Sequence, residues 1–412
     1  SSDNNPPSQM LREAVSCGLQ STGVEVFNIG IGTTPMHRYA IRKYNYSGGI
    51  HVKTSSRDPE IAHLVFTNKR GSNISRNKER KIENILARED FRRTSADRLS
   101  NARYVPKILE DYLKSITDNI NKQSICKANY KVLIAYDRSE LDKFIIPLCN
   151  ELNLRVEHVN LLEKRTNPRW LDYQNILPDF SNMIKSKKAD IGVIFDSNAD
   201  RFILFDDQGK VFQDDLLTAL IALIALRTMG GPVVVPVTAP KAIDSMAGKY
   251  SARVVRTKTA MQDLLEKLIS TDEIHLKSSK NKKFYSQFLM NFDALAAFCI
   301  ILDFMSEQNS SLSLLSREIP SFFLNKKDVQ VPWEAKGRVI RRLVEERNPE
   351  EMELLDGVKV FHSNGWTLIL PDPEEPLCRV FSEGASMEIA ESLSDFYIDK
   401  INDIIDEEQE VS

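Results

Sequence analysis

The segment VIFDSNADRFILFDDQGK, residues 193–210, places oxygen-bearing side chains at alternate positions between two apolar runs. Each run has the length and composition of a buried strand, so the segment predicts two strands joined by a polar loop. The loop carries Asp196, Asn198 and Asp200, with Arg201 directly after them. Side chains at such positions can converge on one point, and three oxygen donors suit a hard cation such as Mg²⁺. The loop therefore predicts a magnesium site, beside which a guanidinium could clamp a phosphate.

The same pattern is compatible with a simpler structure. Asp and Asn are favoured in β-turns, so a polar turn between two hairpin strands stays open as the alternative. An EF-hand calcium loop is excluded, because Arg201 stands where that loop needs Gly, and strands rather than helices flank the segment. The amide oxygen of Asn198 still coordinates Mg²⁺, but one negative charge is missing. We therefore expect weaker metal binding than three carboxylates would give.

The composition of the 412 residues limits the functions that the chain can have. The net charge of −3 provides no basic surface for a phosphate-backbone partner, so nucleic-acid binding is not indicated. No apolar run approaches the ~20 residues of a membrane span, and no signal peptide opens the chain. The five cysteines are scattered and form no C-x-x-C pair, which favours reduced thiols in a cytoplasmic protein over a zinc site or a disulfide framework.

Helical and strand patterns alternate along most of the chain, as in βαβ units. A first helix is expected from Ser8, as its N-cap, to Gly23, as its stop. The carboxylate loop falls in the second of three α/β cycles, and the last part of the chain is typical of strands followed by one amphipathic helix. We predict an α/β fold of three successive mixed-sheet α/β/α domains plus a small C-terminal α+β domain around a central cleft. The predicted domains span residues 1–125, 126–229, 230–322 and 323–412.

A second segment, GGIHVKTSSRDP at residues 48–59, combines a Gly-led strand with a polar turn. Ser56 lies just past the expected strand end, where a hydroxyl can act as a nucleophile, and an ordinary turn serine is the alternative. Lys53 and Arg57 make this end of the strand cationic. The segment therefore predicts a place for an anionic group such as a phosphate.

Together these segments resemble the motifs of the α-D-phosphohexomutases, which include phosphomannomutase, phosphoglucomutase and phosphoglucosamine mutase. The loop at 196–201 is similar to their D-G-D-A-D-R metal loop. Residues 48–59 are similar to their catalytic segment G-G-(I/V)-x-(I/V)-T-A-S-H-N-P, in which Ser56 falls on the phosphorylated serine and Arg57 on the histidine. The resemblance covers nearly the whole chain, with the motifs in the same order.

The resemblance implies an isomerase that moves a phosphoryl group within a hexose phosphate, either mannose 1-/6-phosphate or a glucose or glucosamine phosphate. A hexose bisphosphate would be the intermediate and the activator, and Mg²⁺ the cofactor. The residues that the resemblance assigns to the metal are Ser56, Asp196, Asn198 and Asp200. Those that it assigns to catalysis are Ser56, Arg57 and Arg201. Lys53 is a candidate for substrate binding.

Two loops depart from the superfamily pattern. Where a sugar-binding G-E-x-S-G-H segment is expected, residues 276–285 are LKSSKNKKFY, and Lys280 and Lys282 are the candidates there for holding a phosphate by charge. Where the phosphate loop R-P-S-G-T-E-P is expected, residues 370–376 are LPDPEEP, with Asp372 in place of the Ser. We expect this acidic loop to repel a sugar phosphate.

These departures resemble one subgroup, the mutase-like C-terminal region of bacterial mannose-1-phosphate guanylyltransferase fusion proteins. The resemblance implies an upstream nucleotidyltransferase domain in the same polypeptide as a candidate partner, and a first domain that lacks the opening strands of the superfamily. It leaves an alternative function open, a catalytically degenerate mutase-like domain that regulates or assembles a sugar-nucleotide pyrophosphorylase. The retained serine and metal loop favour the mutase, whereas the two altered loops favour the alternative.

Overall fold

The computed structural model describes residues 1–55, 58, 60–136, 138–160, 174–229, 231–278 and 286–409. The chain forms two compact units. One comprises residues 1–217 and 268–317, and the other comprises residues 218–267 and 318–412. The α/β class is confirmed, and the finer division into four domains stays a prediction.

The first unit begins with an α/β region of short strands. Its helices are α1 (Pro6–Ser21), α2 (Thr34–Lys43), α3 (Arg76–Ala87), α4 (Ile108–Thr117) and α5 (Lys122–Ala128). Its strands are β1 (Phe27–Asn28), β2 (Gly48–Thr54), β3 (Ala62–Asn68) and β4 (Arg103–Tyr104). β2 pairs antiparallel with β3 over its whole length, and β1 pairs parallel with β4. β2 is the Gly-led strand predicted from the sequence GGIHVKT at residues 48–54, whereas β3 is not among the predicted strands.

Helix α1 begins earlier than the sequence predicts. Ser8 is not the N-cap, because Asn5 precedes the helix and two prolines occupy its first turn, where their missing N–H groups leave no helical bond unmade. Ser8 is instead buried, with its Oγ 3.4 Å from the Oγ1 of Thr54 at the end of β2. The predicted stop is confirmed, because Gly23 takes φ +83° just past the helix end.

The next part of the first unit is built on a five-stranded mixed sheet. Its strands are β5 (Lys131–Ala135), β6 (Arg155–His158), β7 (Ile191–Phe195), β8 (Phe202–Phe205) and β9 (Val211–Phe212), in the order β6-β5-β7-β8-β9. Its helices are α6 (Arg138–Glu151) and α7 (Leu177–Lys187). β5 pairs parallel with β6 and β7, whereas β7, β8 and β9 pair antiparallel. All residues of β7 and β8 are buried, so the two strands predicted around the carboxylate loop are confirmed.

The chain continues with one short parallel pair of strands and several helices. These elements are α8 (Asp214–Met229), β10 (Val233–Pro236), α9 (Ala242–Lys249), β11 (Val254–Thr257), α10 (Met261–Ser278), α11 (Gln287–Phe292), α12 (Ala294–Gln308) and α13 (Leu312–Leu315). β10 and β11 pair parallel. Helix α12 has a strongly apolar sequence and is buried from Ala294 to Met305. Asp293 caps it, since its Oδ1 accepts the N–H of Ala296 at 3.0 Å.

The C-terminal part of the second unit is an antiparallel sheet with two helices. Its elements are β12 (Phe323–Gln330), α14 (Trp333–Glu345), β13 (Met352–Glu353), β14 (Val358–His362), β15 (Gly365–Pro371), β16 (Leu377–Gly384) and α15 (Met387–Gln409). The strand order is β12-β16-β15-β14-β13. Val339 of α14 and Ile401 of α15 share one core with Val360, Ile369 and Val380 of the sheet. Among the helices of the described residues, none is both long and apolar enough to span a bilayer.

Two buried histidines in the first unit predict sensitivity to acid. The rings of His37 and His51 lie 5.5 Å apart, and the Oγ of Ser1 lies 2.9 Å and 2.8 Å from their Nδ1 atoms. Burial lowers the pKa of both imidazoles well below the ordinary value, and the charge of Arg38 acts in the same direction. A group with a depressed pKa contributes stability that is complete above its unfolded-state pKa and is lost as the pH falls. We therefore expect the free energy of unfolding to decrease as the pH drops below about 6.5.

Denaturant unfolding of the wild type and of His51→Asn, between about pH 7.5 and pH 5, measures this effect. The variant lacks one of the two imidazoles, so its unfolding free energy should depend less on pH. Carboxyl groups such as Asp293, whose pKa burial raises to about 6, contribute to both proteins and cancel in the comparison. Equal pH slopes in the two proteins would show that the imidazole of His51 does not contribute.

Candidate functional site

The carboxylate loop between β7 and β8 is a tight turn that one of its own carboxylates closes. Asp196 Oδ1 accepts the N–H groups of Asp200 at 2.8 Å and of Arg201 at 3.0 Å. The N–H of Asp196 donates to the carbonyl of Arg201 at 3.1 Å, and Ala199 takes φ +52° in the left-handed region. The sequence leaves a magnesium site and a simple polar turn open as alternatives for this loop. The two are compatible, because Asp196 holds the turn whether or not it also binds a metal.

Asp200 joins this loop to β2, the strand that ends two residues before Ser56. Its Oδ2 accepts a hydrogen bond from Thr34 Oγ1 at 3.1 Å and forms an ion pair with Lys53 Nζ. Thr34 lies in the first turn of α2, and Lys53 is the penultimate residue of β2. Lys53 and Asp200 are 147 positions apart in the sequence. The C-terminal end of β2 therefore lies against the carboxylate loop.

Burial is the largest influence on the charge of the loop. It raises the pKa of Asp196 above the ordinary range, and the neighbouring carboxylate of Asp200 raises it further, whereas Lys53 and Arg201 lower it. Burial also lowers the pKa of Arg38 in α2 to about 10, and the charge of Asp200 opposes that shift. Two carboxylates that repel each other are thus compensated by cations from α2, from β2 and from the loop itself.

Two residues around Asp200, Thr34 and Arg38, are absent from the sequence-based candidates. Thr33 Oγ1 accepts the N–H of Met36 at 3.3 Å, so α2 begins with Thr34 in its first turn. Arg38 lies four residues further on and therefore on the same helix face. The sequence contains a signal that could have placed Thr34 and Arg38 on one helix. The Thr-Thr-Pro run at 33–35 is typical of a helix start, with a capping threonine and a proline in the first turn.

Comparison with protein families assigns both segments that meet at Asp200. Residues 1–93 match the model for phosphoglucomutase/phosphomannomutase alpha/beta/alpha domain I, and residues 110–209 match the model for domain II. The first match contains β2, and the second contains the carboxylate loop. The chain thus matches two successive domains of the phosphoglucomutase/phosphomannomutase family.

The curated relatives of this chain carry the names of phosphohexomutases. A phosphoglucomutase/phosphomannomutase of Thermococcus kodakarensis is 26% identical over 393 residues, which are 94% of this chain and 86% of the relative. A probable phosphoglucosamine mutase of Pyrococcus abyssi is 27% identical over 403 residues, which are 95% of this chain and 87% of the relative.

Solved structures share the fold of this chain at lower identity. A phosphoglucomutase/phosphomannomutase family protein from Burkholderia thailandensis has a TM-score of 0.76 at 16% identity, and the match covers 97% of this chain and 88% of that one. The N-acetylphosphoglucosamine mutase of Aspergillus fumigatus, in complex with GlcNAc-6P and magnesium, has a TM-score of 0.58 at 13% identity and covers 96% of this chain and 99% of that one.

The side-chain oxygens of the carboxylate loop suit Mg²⁺ in chemistry, but they carry little negative charge. The loop offers oxygen atoms only, from the buried side chains of Asp196 and Asn198 and from Asp200. Within the described residues, no three His, Cys, Asp or Glu side chains form a group that could hold a metal, and the middle position here is an amide. The ammonium of Lys53 already contacts one of the two carboxylates. The donor set therefore fits the ion, with a resident ammonium as its competitor.

The structure brings together only some of the predicted site residues. The residues placed in one loop or in contact with it are Lys53, Asp196, Asn198, Asp200 and Arg201. The residues that lie outside the described part of the chain are Ser56, Arg57, Lys280 and Lys282. The roles of all nine stay predictions.

Proposed function

We propose that the chain is a phosphohexomutase, an isomerase that moves a phosphoryl group within a hexose phosphate by way of Ser56. The observation that carries the proposal is the ion pair between Lys53 and Asp200, which sets the end of β2 against the carboxylate loop. Ser56 follows Lys53 by three residues. The names of the curated relatives support the reaction class, and they favour a glucosamine, glucose or mannose phosphate as substrate.

In this proposal the chain supplies a nucleophile, a ligand loop and compensating cations. Asp196, Asn198, Asp200 and Ser56 would hold Mg²⁺, and the magnesium complex of the Aspergillus fumigatus mutase supports that choice of ion. When bound, the ion would neutralise charge on the transferring phosphoryl group. The Ser56 oxygen carries the phosphoryl group, and the Ser56 O–P bond breaks as a sugar hydroxyl forms the new O–P bond. The proton of that hydroxyl replaces the phosphoryl group on the serine oxygen. A second transfer returns the other phosphate of the resulting bisphosphate to Ser56. Arg57 and Arg201 would orient the phosphate.

The direct test is a turnover assay combined with mass spectrometry. The protein is incubated with Mg²⁺, a hexose 1,6-bisphosphate and, in separate reactions, mannose, glucose or glucosamine 1-phosphate. We expect the corresponding 6-phosphate to form with one of these substrates and a phosphoserine to be found at Ser56. Absence of both the 6-phosphate and the phosphoserine would overturn the proposal.

A second candidate function is the degenerate mutase-like domain of a sugar-nucleotide pyrophosphorylase of the mannose-1-phosphate guanylyltransferase type. The acidic loop at 370–376 and the lysine-rich segment at 276–285 favour it, because both replace loops that the superfamily uses for substrate. This candidate predicts no 6-phosphate in the assay above. It also predicts that mannose 1-phosphate binds, as isothermal titration would measure, without being converted.

Lys53 is expected to limit how tightly the loop binds a divalent cation. The change Lys53→Met removes an ammonium from Asp200, so Mg²⁺ affinity should rise by about tenfold, because the carboxylate no longer shares its charge. Isothermal titration with Mg²⁺ measures the effect, and Lys69→Met at an exposed position is the matched control. Equal Mg²⁺ affinity in the wild type and Lys53→Met would contradict the competition.

A further inference from the structure

The loop between β15 and β16 contains a carboxylate whose two oxygens are both fully engaged. Asp372 Oδ1 accepts the backbone N–H groups of Glu374 at 2.8 Å and of Glu375 at 2.9 Å. Asp372 Oδ2 accepts two hydrogen bonds from Arg379, from Nε at 2.8 Å and from Nη2 at 2.5 Å. Asp372 is 7% exposed, so these four donors surround it in a largely water-free place.

A second cation holds the backbone of this loop from another element. Lys336 of α14 is 8% exposed, and its Nζ donates to the carbonyl oxygens of Asp372 and Glu375. The loop is therefore fixed from two sides, by Lys336 at its carbonyl groups and by Arg379 at the carboxylate. The N–H groups of Glu374 and Glu375 and the guanidinium of Arg379 converge on the same carboxylate.

These donors form a group that ordinarily recognises an anion. Successive backbone N–H groups that point to one place make an anion-binding concavity, and a guanidinium adds a two-pronged contact that suits a carboxylate or a phosphate. Burial opposes the negative charge of Asp372, but the N–H of Glu374 and the guanidinium of Arg379 outweigh it and hold the pKa of this carboxyl below its ordinary value. Asp372 is therefore an anion at neutral pH.

We propose that Asp372 is a built-in anion that fills the anion pocket of residues 371–379 and excludes phosphate from it. The side chains of Glu374 and Glu375 are exposed and add negative charge to the same loop. The pocket is thus complete in its donors and closed by the chain itself. This proposal rests on the proposed function, and it means that the phosphate group of the substrate is not recognised at this loop.

The alternative is that Asp372 only stabilises a turn. In that case its removal weakens the loop and creates no binding site, because the N–H groups lose the order that the carboxylate gave them. The two cases differ in one observable, which is the affinity of a variant for a free anion. The contacts of Lys336 favour the built-in anion over a simple turn. They hold the loop through carbonyl groups of the backbone, which do not depend on the Asp372 side chain.

The test uses the change Asp372→Ser and inorganic phosphate as the probe. Isothermal titration at constant ionic strength compares the wild type, Asp372→Ser and the double variant Asp372→Ser/Arg379→Met. We expect Asp372→Ser to bind phosphate about tenfold or more tightly than the wild type, because a charge-assisted contact becomes available. The double variant should lose that gain, which assigns it to this pocket. A folded Asp372→Ser with wild-type phosphate affinity would overturn the proposal.

A second variant keeps the test decisive if Asp372→Ser is unstable. Asp372→Asn retains an acceptor for the two N–H groups and releases the guanidinium from its carboxylate, so a smaller gain in phosphate affinity is expected. No gain in this variant would also overturn the proposal. Phosphate binding is read without any turnover, so its failure is distinct from a failure of the mutase reaction at Ser56.

Discussion

Replacing Ser56 with Ala is expected to lower kcat/KM for hexose phosphate isomerisation by at least about 10³-fold. The hydroxyl is the proposed carrier of the phosphoryl group, so the variant lacks the oxygen to which that group would be bonded. The measurement is the coupled assay for 6-phosphate formation, with mass spectrometry of the same samples to detect the phosphoserine.

Ser55→Ala is the matched control, because it removes the same hydroxyl one position earlier on the chain. It should retain both turnover and phosphoserine. If Ser56→Ala keeps turnover within a fewfold of the wild type, or if the phosphate is found on another residue, Ser56 is not the carrier.

Replacing Glu383 with Ala is expected to destabilise the second unit by about 3 kcal/mol or more. Glu383 Oε2 accepts the indole N–H of Trp366 at 2.6 Å and the backbone N–H of Lys241 at 2.9 Å, and Glu383 is 8% exposed. Its removal leaves the buried indole N–H of Trp366 and the backbone N–H of Lys241 without this acceptor. It also removes an anion from near Lys359, whose Nζ lies 3.9 Å from the Trp366 ring centroid.

Urea unfolding followed by tryptophan fluorescence measures this loss, because Trp366 is buried next to the change. Glu391→Ala is the matched control, since Glu391 is an exposed glutamate on α15 of the same unit. It should change the free energy of unfolding by less than about 0.5 kcal/mol. A similar small change for Glu383→Ala would mean that water satisfies the two donors and that the carboxylate contributes little.

The sequence predicts the hairpin of the candidate site because its signal is local. Two apolar runs flank a polar loop, so β7, β8 and the loop between them follow from the pattern of residues 193–210 alone. The signal for β2, the strand that ends two residues before Ser56, is equally local, because GGIHVKT alone predicts it. The predicted start of α1 is wrong by a few residues, because the helix begins at the prolines that follow Asn5 and so already contains Ser8.

The contacts that define the site cannot be predicted in the same way. Lys53 and Asp200 meet across 147 positions, and the expectation that their segments lie together comes from the resemblance and not from a local pattern. Likewise, the acidic composition of residues 370–376 predicts repulsion of a phosphate. It does not predict that Asp372 is paired with Arg379 and with two N–H groups, because that depends on the β15–β16 register. Local patterns therefore give the elements, whereas the long-range pairs come from their packing.

The central claim is that Ser56 and the carboxylate loop bind one divalent cation between them. A crystal structure of the protein with saturating Mn²⁺, a stand-in for Mg²⁺ with an anomalous signal, tests it most directly. We predict one anomalous peak bound by the Ser56 oxygen and by oxygens of Asp196, Asn198 and Asp200. A peak bound to the loop without Ser56, or no peak with Lys53 still paired to Asp200, would contradict the claim.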